Sequence, residues 1–402
     1  MSKVYIVEAK RTAVGSFLGS LKNHHPADLG APLIKNILEN THVPAGEIDE
    51  VIIGNILPAG QGQGLGRQVA LKGGIPIEVP AYVVSMACGS AMKAIMNAAT
   101  EVKAGYANLV LAGGVESMTR APYLIPDGAR GGLKMGEIKV KDHMILDALT
   151  DAGSGVHMGI TAENIASKYQ ISRAEQDAFA FESQKKAIAA VDAGRFADEI
   201  VPLEVKVGKD IVKFDKDEYP NRTTTLEKMA TLKPAFKPEG GTVTAANASG
   251  INDGGSMVLV ASEEAVKKYN LKPLVEIVGF GQGGVDPLLM GLGPTPAIKN
   301  ALKQANLKFS QMDLIELNEA FAAQSLGVIR ELTEAFGETK EQILARTNVN
   351  GGAIALGHAV GSSGARITVT LIHELVKRQG TYGLASLCIG GGMGTAIIVK
   401  RV

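Results

Sequence analysis

The 402-residue chain has no tryptophan, only two cysteines, and few aromatic side chains of any kind (4%). Two cysteines cannot build a disulfide framework, so a cystine-stapled secreted scaffold is excluded and a reducing cytoplasm is the expected setting. Neither sign of charge is in excess, since 41 basic residues face 41 acidic ones. Nucleic-acid and polybasic membrane partners need clustered positive charge, so neither is expected. No apolar run reaches the roughly 18 residues of a membrane span. The opening MSKVYIVEAKRT reads as a strand followed by charges, not as a signal or transit peptide. The closing VKRV carries no lipidation or peroxisomal address. What is abundant is glycine, 48 residues in a chain that is 46% apolar. That combination suits an α/β protein with many tight strand–helix turns.

The chain repeats itself. IKNIL (34–38) returns as IKNAL (298–302), an offset of 264 residues that also carries Asp49 of EIDEVIIGN onto Asp313 of QMDLIELNE. Both segments read as a helix, a polar turn and a strand. A second pair is CGSAMKAIMNAATEVKAGYANLVLAGG (88–114) and GSSGARITVTLIHELVKRQGTYGLASLCIGG (361–391). Each has a small-residue turn, a long helix, a glycine stop and a buried strand. These matches predict two αβ halves, 1–118 and 272–402, with a strand in SMVLVAS near 256–262 completing the first. Residues 119–250 read differently, as an inserted loop domain placed over the scaffold. It holds a basic, glycine-rich piece (GARGGLKMGEIKVKD) and a helix from Ser172 with a Ser172/Glu175 capping box.

The chemistry-bearing candidates stand at strand ends. Cys88 is expected where a buried strand, YVVS, turns into a helix, a place that favours a thiolate nucleophile, although a small buried cysteine is the plainer reading. Cys388 ends an apolar strand before Gly390, Gly391 and Gly392, whose backbone N–H groups can face an anionic oxygen; alone it reads more readily as core. His358 sits between Gly357 and Gly361, with a pKa suited to proton transfer. Asn318 heads NEAFAAQ after the strand DLIEL and is either a helix N-cap or a residue that orients water. Cys88, Cys388, His358 and His157 lack the close ligand pairs of a structural zinc site, so no metal is expected. The repeat brings the first four to matching strand ends, where doubly wound sheets bind ligands.

The stretches CGSAMKA, NEAFA, GGAIALGHAVGSSGAR and CIGGGMG resemble the active-site motifs of the thiolase family, and AGGVESMTRAP and VTAANASGINDG resemble further blocks of it. GARGGLKMG and VHMGITAEN are similar to the biosynthetic branch of the family. The resemblance spans the chain and implies duplicated αβαβα halves in five layers with an inserted loop domain. It implies an acyltransferase that condenses two acetyl-CoA to acetoacetyl-CoA and CoA by a ping-pong route, with coenzyme A only as part of the substrate. Cys88 would carry the acyl group, His358 would activate it and Cys388 would move a proton. Two oxyanion holes are implied: His358 with a water held by Asn318, and the N–H groups of Cys88 and Gly390. Coenzyme A contacts are implied for Leu149, His157, Met158, Arg222, Phe236, Ser249, Ala320 and Phe321. A homotetramer, a dimer of dimers, is implied as well.

Three positions depart from the family pattern. Ala359 stands in place of the usual proline, Ala91 in place of glycine, and Ala246 where glycine is common. They are expected to loosen the His358 loop and slightly narrow the pocket near Cys88, leaving the reaction type intact. Other readings are a degradative 3-ketoacyl-CoA thiolase, a non-catalytic thiolase-like carrier and a decarboxylating ketoacyl synthase. A carrier is expected to lose one of the three reactive groups. A synthase pairs a single cysteine with two histidines or with histidine and asparagine.

Overall fold

A computed structural model describes residues 3–125 and 127–402. In chain order the main strands are β1 (Val4–Arg11), β2 (Glu50–Gly54), β3 (Ala81–Val84), β4 (Leu109–Ser117), β5 (Asn252–Ser262), β6 (Val275–Gly284), β7 (Leu314–Leu317), β8 (Tyr382–Ile389) and β9 (Met393–Arg401). The helices that pack on them are α1 (Pro26–Thr41), α2 (Leu65–Lys72), α3 (Ser90–Ala104), α4 (Met158–Tyr169), α5 (Arg173–Asp192), α6 (Pro294–Ala305), α7 (Ala322–Phe336) and α8 (Ser363–Lys377).

The strands form one sheet in the order β7-β8-β9-β6-β1-β5-β4-β2-β3. Its halves repeat. β2 runs parallel to β4, which is antiparallel to β5, itself antiparallel to β1. β7 runs parallel to β8, which is antiparallel to β9, itself antiparallel to β6. The seam is two residues of β1, Tyr5 and Ile6, opposite Glu276 and Val275. The repeated aspartates do the same work in each half: Asp49 Oδ2 accepts from the N–H groups of Asn108 and Leu109, and Asp313 Oδ2 from those of Thr381 and Tyr382. Each carboxylate holds the start of the strand next to its own.

Alternation along the strands sorts their side chains between layers. Ile52, Val110, Ala112, Val258 and Val260 of one half, and Ala385, Leu387, Ile397 and Val399 of the other, close on α3 and α8. These two helices therefore form the middle layer. Val51, Ile53, Leu109, Leu111 and Leu259 turn the opposite way, onto α1 and α2. Ile315, Leu317, Leu384 and Ile398 turn onto α6 and α7. Helix, sheet, helix, sheet, helix is the five-layered order. Truncating a middle-layer residue such as Ile52 to alanine would cost about 2–5 kcal/mol.

Helix ends are written locally. α5 begins at the Ser172/Glu175 capping box, with Ser172 accepting from the Glu175 N–H. α3 stops at Gly105, which takes a left-handed φ of 72° at no Cβ cost. Two local expectations are corrected. β3 is a half-buried edge strand, not a buried one, because it has a neighbour on one side only. Asn318 caps no helix, since α7 starts at Ala322 with Phe321 at its N-cap. Residues 119–250 supply no strand to the large sheet among the described residues; they hold α4, α5 and two small hairpins.

Candidate active site

Cys88 is presented by a tight turn between β3 and α3. Ser90 Oγ accepts from the Met86 N–H (2.9 Å) and donates to the Ala87 carbonyl (2.6 Å), closing the turn. Ala87 takes a left-handed φ of 41°, a costly conformation for a residue with a Cβ. Gly89 is needed because any side chain there would run into Ile389 at the end of β8. The turn thus brings Cys88 of one half against the end of β8 in the other.

The thiol is partly exposed to a cavity, yet burial pushes it up to about 11. The N–H groups of Gly390 and of Cys88 itself oppose that rise, and Glu116 adds to it. Position before a helix therefore does not leave a standing thiolate, as the sequence had suggested. At rest the thiol is neutral, so any attack by its sulfur needs a base.

His358 has the protonation and surroundings that such a base requires. Its backbone N–H donates to Asn252 Oδ1 (2.9 Å), and Nδ1 lies 2.6 Å from Ser363 Oγ. The one Ser363 hydroxyl proton goes to the Ala359 carbonyl (2.9 Å), so Ser363 accepts from Nδ1–H and Nε2 is the unprotonated nitrogen. Asn318 Nδ2 is 3.5 Å from Nε2. Burial, and then the Arg366 charge, lower His358 to about 4, so the imidazole is neutral at rest. Asn318 is buried, its N–H donates to the Ser386 carbonyl, and its Oδ1 has no protein partner. Such an orphaned buried acceptor marks a place for water or a substrate group. Cys388 is buried opposite Gly394, and burial first, then the neighbouring Cys88, hold its thiol well above the ordinary thiol range. Gly391 and Gly392 turn away from it at φ 84° and 82°.

These groups open on one cavity of about 490 Å³. Cys88, His358, Cys388 and Gly390 line it, and so do Leu149, His157, Met158, Phe236, Ser249, Ala320 and Phe321. His157 N-caps α4 by accepting from the Gly159 N–H (3.0 Å) and stacks on Phe236, whose ring meets Phe321 edge-on. Segment 244–251 is stitched to NEAFA by the Ser249 N–H donating to Ala320 and the Ala322 N–H donating to Asn247. The insert thereby becomes the cavity's outer wall. Arg222 is not brought there: its exposed guanidinium forks onto Asp192 (3.0 and 2.6 Å). Asn318 stands behind His358 and is not itself in the wall.

Several wall residues were missed in the sequence. Val360 lies inside the histidine motif and Met118 inside AGGVESM, so their motifs carried a signal; Tyr219 and Met290 had none. Ser363, which sets the tautomer, was also passed over. The departures matter less than expected. Ala91 does not narrow the pocket, because it is fully buried and packs toward Gly54 and Gly114. The loop at Ala359 is not slack, since the Ala359 carbonyl accepts from Ser362 N, Ser363 N and Ser363 Oγ.

A neutral thiol beside a neutral imidazole, a second thiol and converging N–H donors define a covalent acyl-transfer site on a duplicated α/β scaffold. Comparison with known proteins narrows that class. The description "Thiolase, N-terminal domain" matches residues 4–264 and "Thiolase, C-terminal domain" residues 271–401. An acetyl-CoA acetyltransferase of Pseudomonas aeruginosa is 51% identical over 402 residues, covering 100% of both chains. The solved acetyl-CoA acetyltransferase of Syntrophomonas wolfei superposes with a TM-score of 0.96 at 43% identity, again over 100% of both chains. Human mitochondrial 3-ketoacyl-CoA thiolase in complex with CoA gives 0.93 at 44% identity, over 100% of this chain and 98% of that one. The chain belongs to the thiolase family.

Proposed function

We propose that the chain is an acetyl-CoA C-acetyltransferase that joins two acetyl-CoA into acetoacetyl-CoA and CoA. The observation that carries this reading is the meeting of Cys88, Cys388, His358 and Gly390 on one cavity. The names of the acetyl-CoA acetyltransferase relatives support the choice of substrate.

In the first half-reaction His358 Nε2 takes the Cys88 proton as the sulfur attacks the thioester carbonyl. The N–H groups of Cys88 and Gly390 receive the developing oxyanion. Cys388 gives its proton to the departing CoA sulfur, which leaves an acetyl-Cys88, a Cys388 thiolate and an imidazolium. In the second half-reaction the Cys388 thiolate removes a methyl proton from a new acetyl-CoA. The enolate oxygen is met by His358 and a water held by Asn318. The carbanion attacks the acetyl group, the tetrahedral adduct collapses, and His358 returns its proton to Cys88. Every proton is accounted for, and no cofactor enters beyond the coenzyme A of the substrate.

We further read the protein as a cytoplasmic homotetramer. Leu133, Met135, Ile138 and Val140 stand exposed on the glycine-rich loop of the insert, as a contact between dimers would require. The test of function is an assay of the purified protein with acetyl-CoA and with 3-ketoacyl-CoA of increasing length. Turnover highest with acetoacetyl-CoA is expected; turnover highest with long chains would make the protein a degradative thiolase.

A further inference from the structure

We propose that Glu116 is a positioning residue of this site: it fastens the His358 loop to the N-terminal half and, once ionised, sets a negative charge behind Cys88. The inference rests on Cys88 being the acyl carrier. Glu116 is the last residue but one of β4, a strand buried along its whole length, and is itself wholly inaccessible. Its Oε1 accepts from Asn55 Nδ2 (2.8 Å), and its Oε2 from the N–H groups of Ile56 (3.0 Å) and Gly361 (3.1 Å). Among the described residues it forms no ion pair.

Those contacts join parts that the chemistry must join. Cys88 belongs to one half and His358 to the other. Gly361 lies three residues beyond His358, and any side chain there would run into the Glu116 carboxylate. Ile56, Leu57, Met118 and Val360 form an apolar niche against which Cys88 packs. Glu116 holds two segments of that niche, through Ile56 and through Gly361 next to Val360. A carboxylate here has no packing advantage over leucine or glutamine, and burying its charge is costly.

The groups that act on this corner are few. Asp253, on the neighbouring strand, acts on Glu116; Glu116, Cys388 and His358 surround Cys88. Burial raises Glu116 to about 8, while backbone donors oppose that rise. Its hydrogen-bond partners Asn55, Ile56 and Gly361 all donate, which suits the ionised form, while Asp253 works against it. Above that pH the charge disfavours a Cys88 thiolate, so the thiol keeps its proton until His358 takes it.

Two substitutions separate the charge from the reach. Glu116→Gln keeps the reach and removes the charge, so the pH midpoint for alkylation of Cys88 by iodoacetamide, read by peptide mass, moves to lower pH. Glu116→Asp keeps the charge and shortens the reach. It leaves that midpoint near its original value, and the acylation rate falls roughly tenfold to a hundredfold with KM for acetyl-CoA little changed. An unmoved midpoint in the glutamine variant overturns the electrostatic half of the proposal. An unchanged acylation rate in the aspartate variant overturns the positioning half. Alkylation needs no thioester, so its result stands whether or not the acetyl-CoA reading holds.

Discussion

Gly390 and Gly392 are two residues apart, and the structure assigns them opposite reasons for being glycine. At Gly390 an added Cβ would meet only Met158 Sδ at 3.6 Å and Ala87 Cβ at 4.0 Å, ordinary contact distances. Its φ lies outside the left-handed region. For folding, Gly390→Ala is therefore neutral or stabilising by about 0.4–1 kcal/mol, because alanine restricts the unfolded chain. The new methyl, however, stands in the cavity, on the residue whose N–H faces the Cys88 sulfur. Obstructing one oxyanion donor costs about 10²–10³ in rate, so acylation of Cys88 should fall by about that factor. Gly392 is the control. Its φ of 82° and the Val285 carbonyl against the added Cβ mean that Gly392→Ala should lower stability by more than about 1 kcal/mol. Thermal melting and single-turnover acylation with acetyl-CoA read both effects. A Gly390→Ala protein that acylates within about twofold of wild type would refute the placement of the thioester.

Other substitutions reach other parts of the site. Cys388→Ala should still allow some acetylation of Cys88 while condensation falls roughly 10²–10⁴-fold, as when one acid/base group is lost; acyl trapping beside product formation reads the split. Ser363→Ala leaves the buried His358 Nδ1–H without its acceptor and should cost about 1–3 kcal/mol in stability, with a slower acylation step, by denaturant titration and stopped flow. His358 also links stability to pH. Its folded value of about 4 lies below the ordinary 6.5, so between the two the unfolded chain binds more protons and stability is lost as pH falls. The contribution is about 3 kcal/mol, and urea midpoints across that window should fall more steeply for wild type than for His358→Gln.

Much of this architecture could be read from the residues. The 264-residue offset pairing Asp49 with Asp313 is explained by one carboxylate job done twice, holding residues 108–109 and 381–382. A local polar contact of that kind repeats with the chain, so it survives in sequence. The five layers were implied by the thiolase resemblance, and in the structure they arise from apolar runs whose alternate residues face different helices. What could not be read depends on long-range closure. The ionisation of Cys88 turns on burial among residues of both halves and the insert, which outweighs its place before α3. Tyr219 reaches the cavity only because the insert folds back over the scaffold, and Met290 reaches it from the segment just before α6 of the C-terminal half. Ala91 seemed to face the substrate, but helix phase turns it into the middle layer instead.

The central claim is that Cys88 carries the acyl group and Cys388 does not. Incubating the purified protein with acetyl-CoA alone, followed by intact-mass and peptide analysis, tests it most directly. One acetyl group on Cys88, still formed to some extent in Cys388→Ala and absent from Cys88→Ala, is the predicted result. An acetyl group on Cys388, or none on either cysteine, would contradict the account.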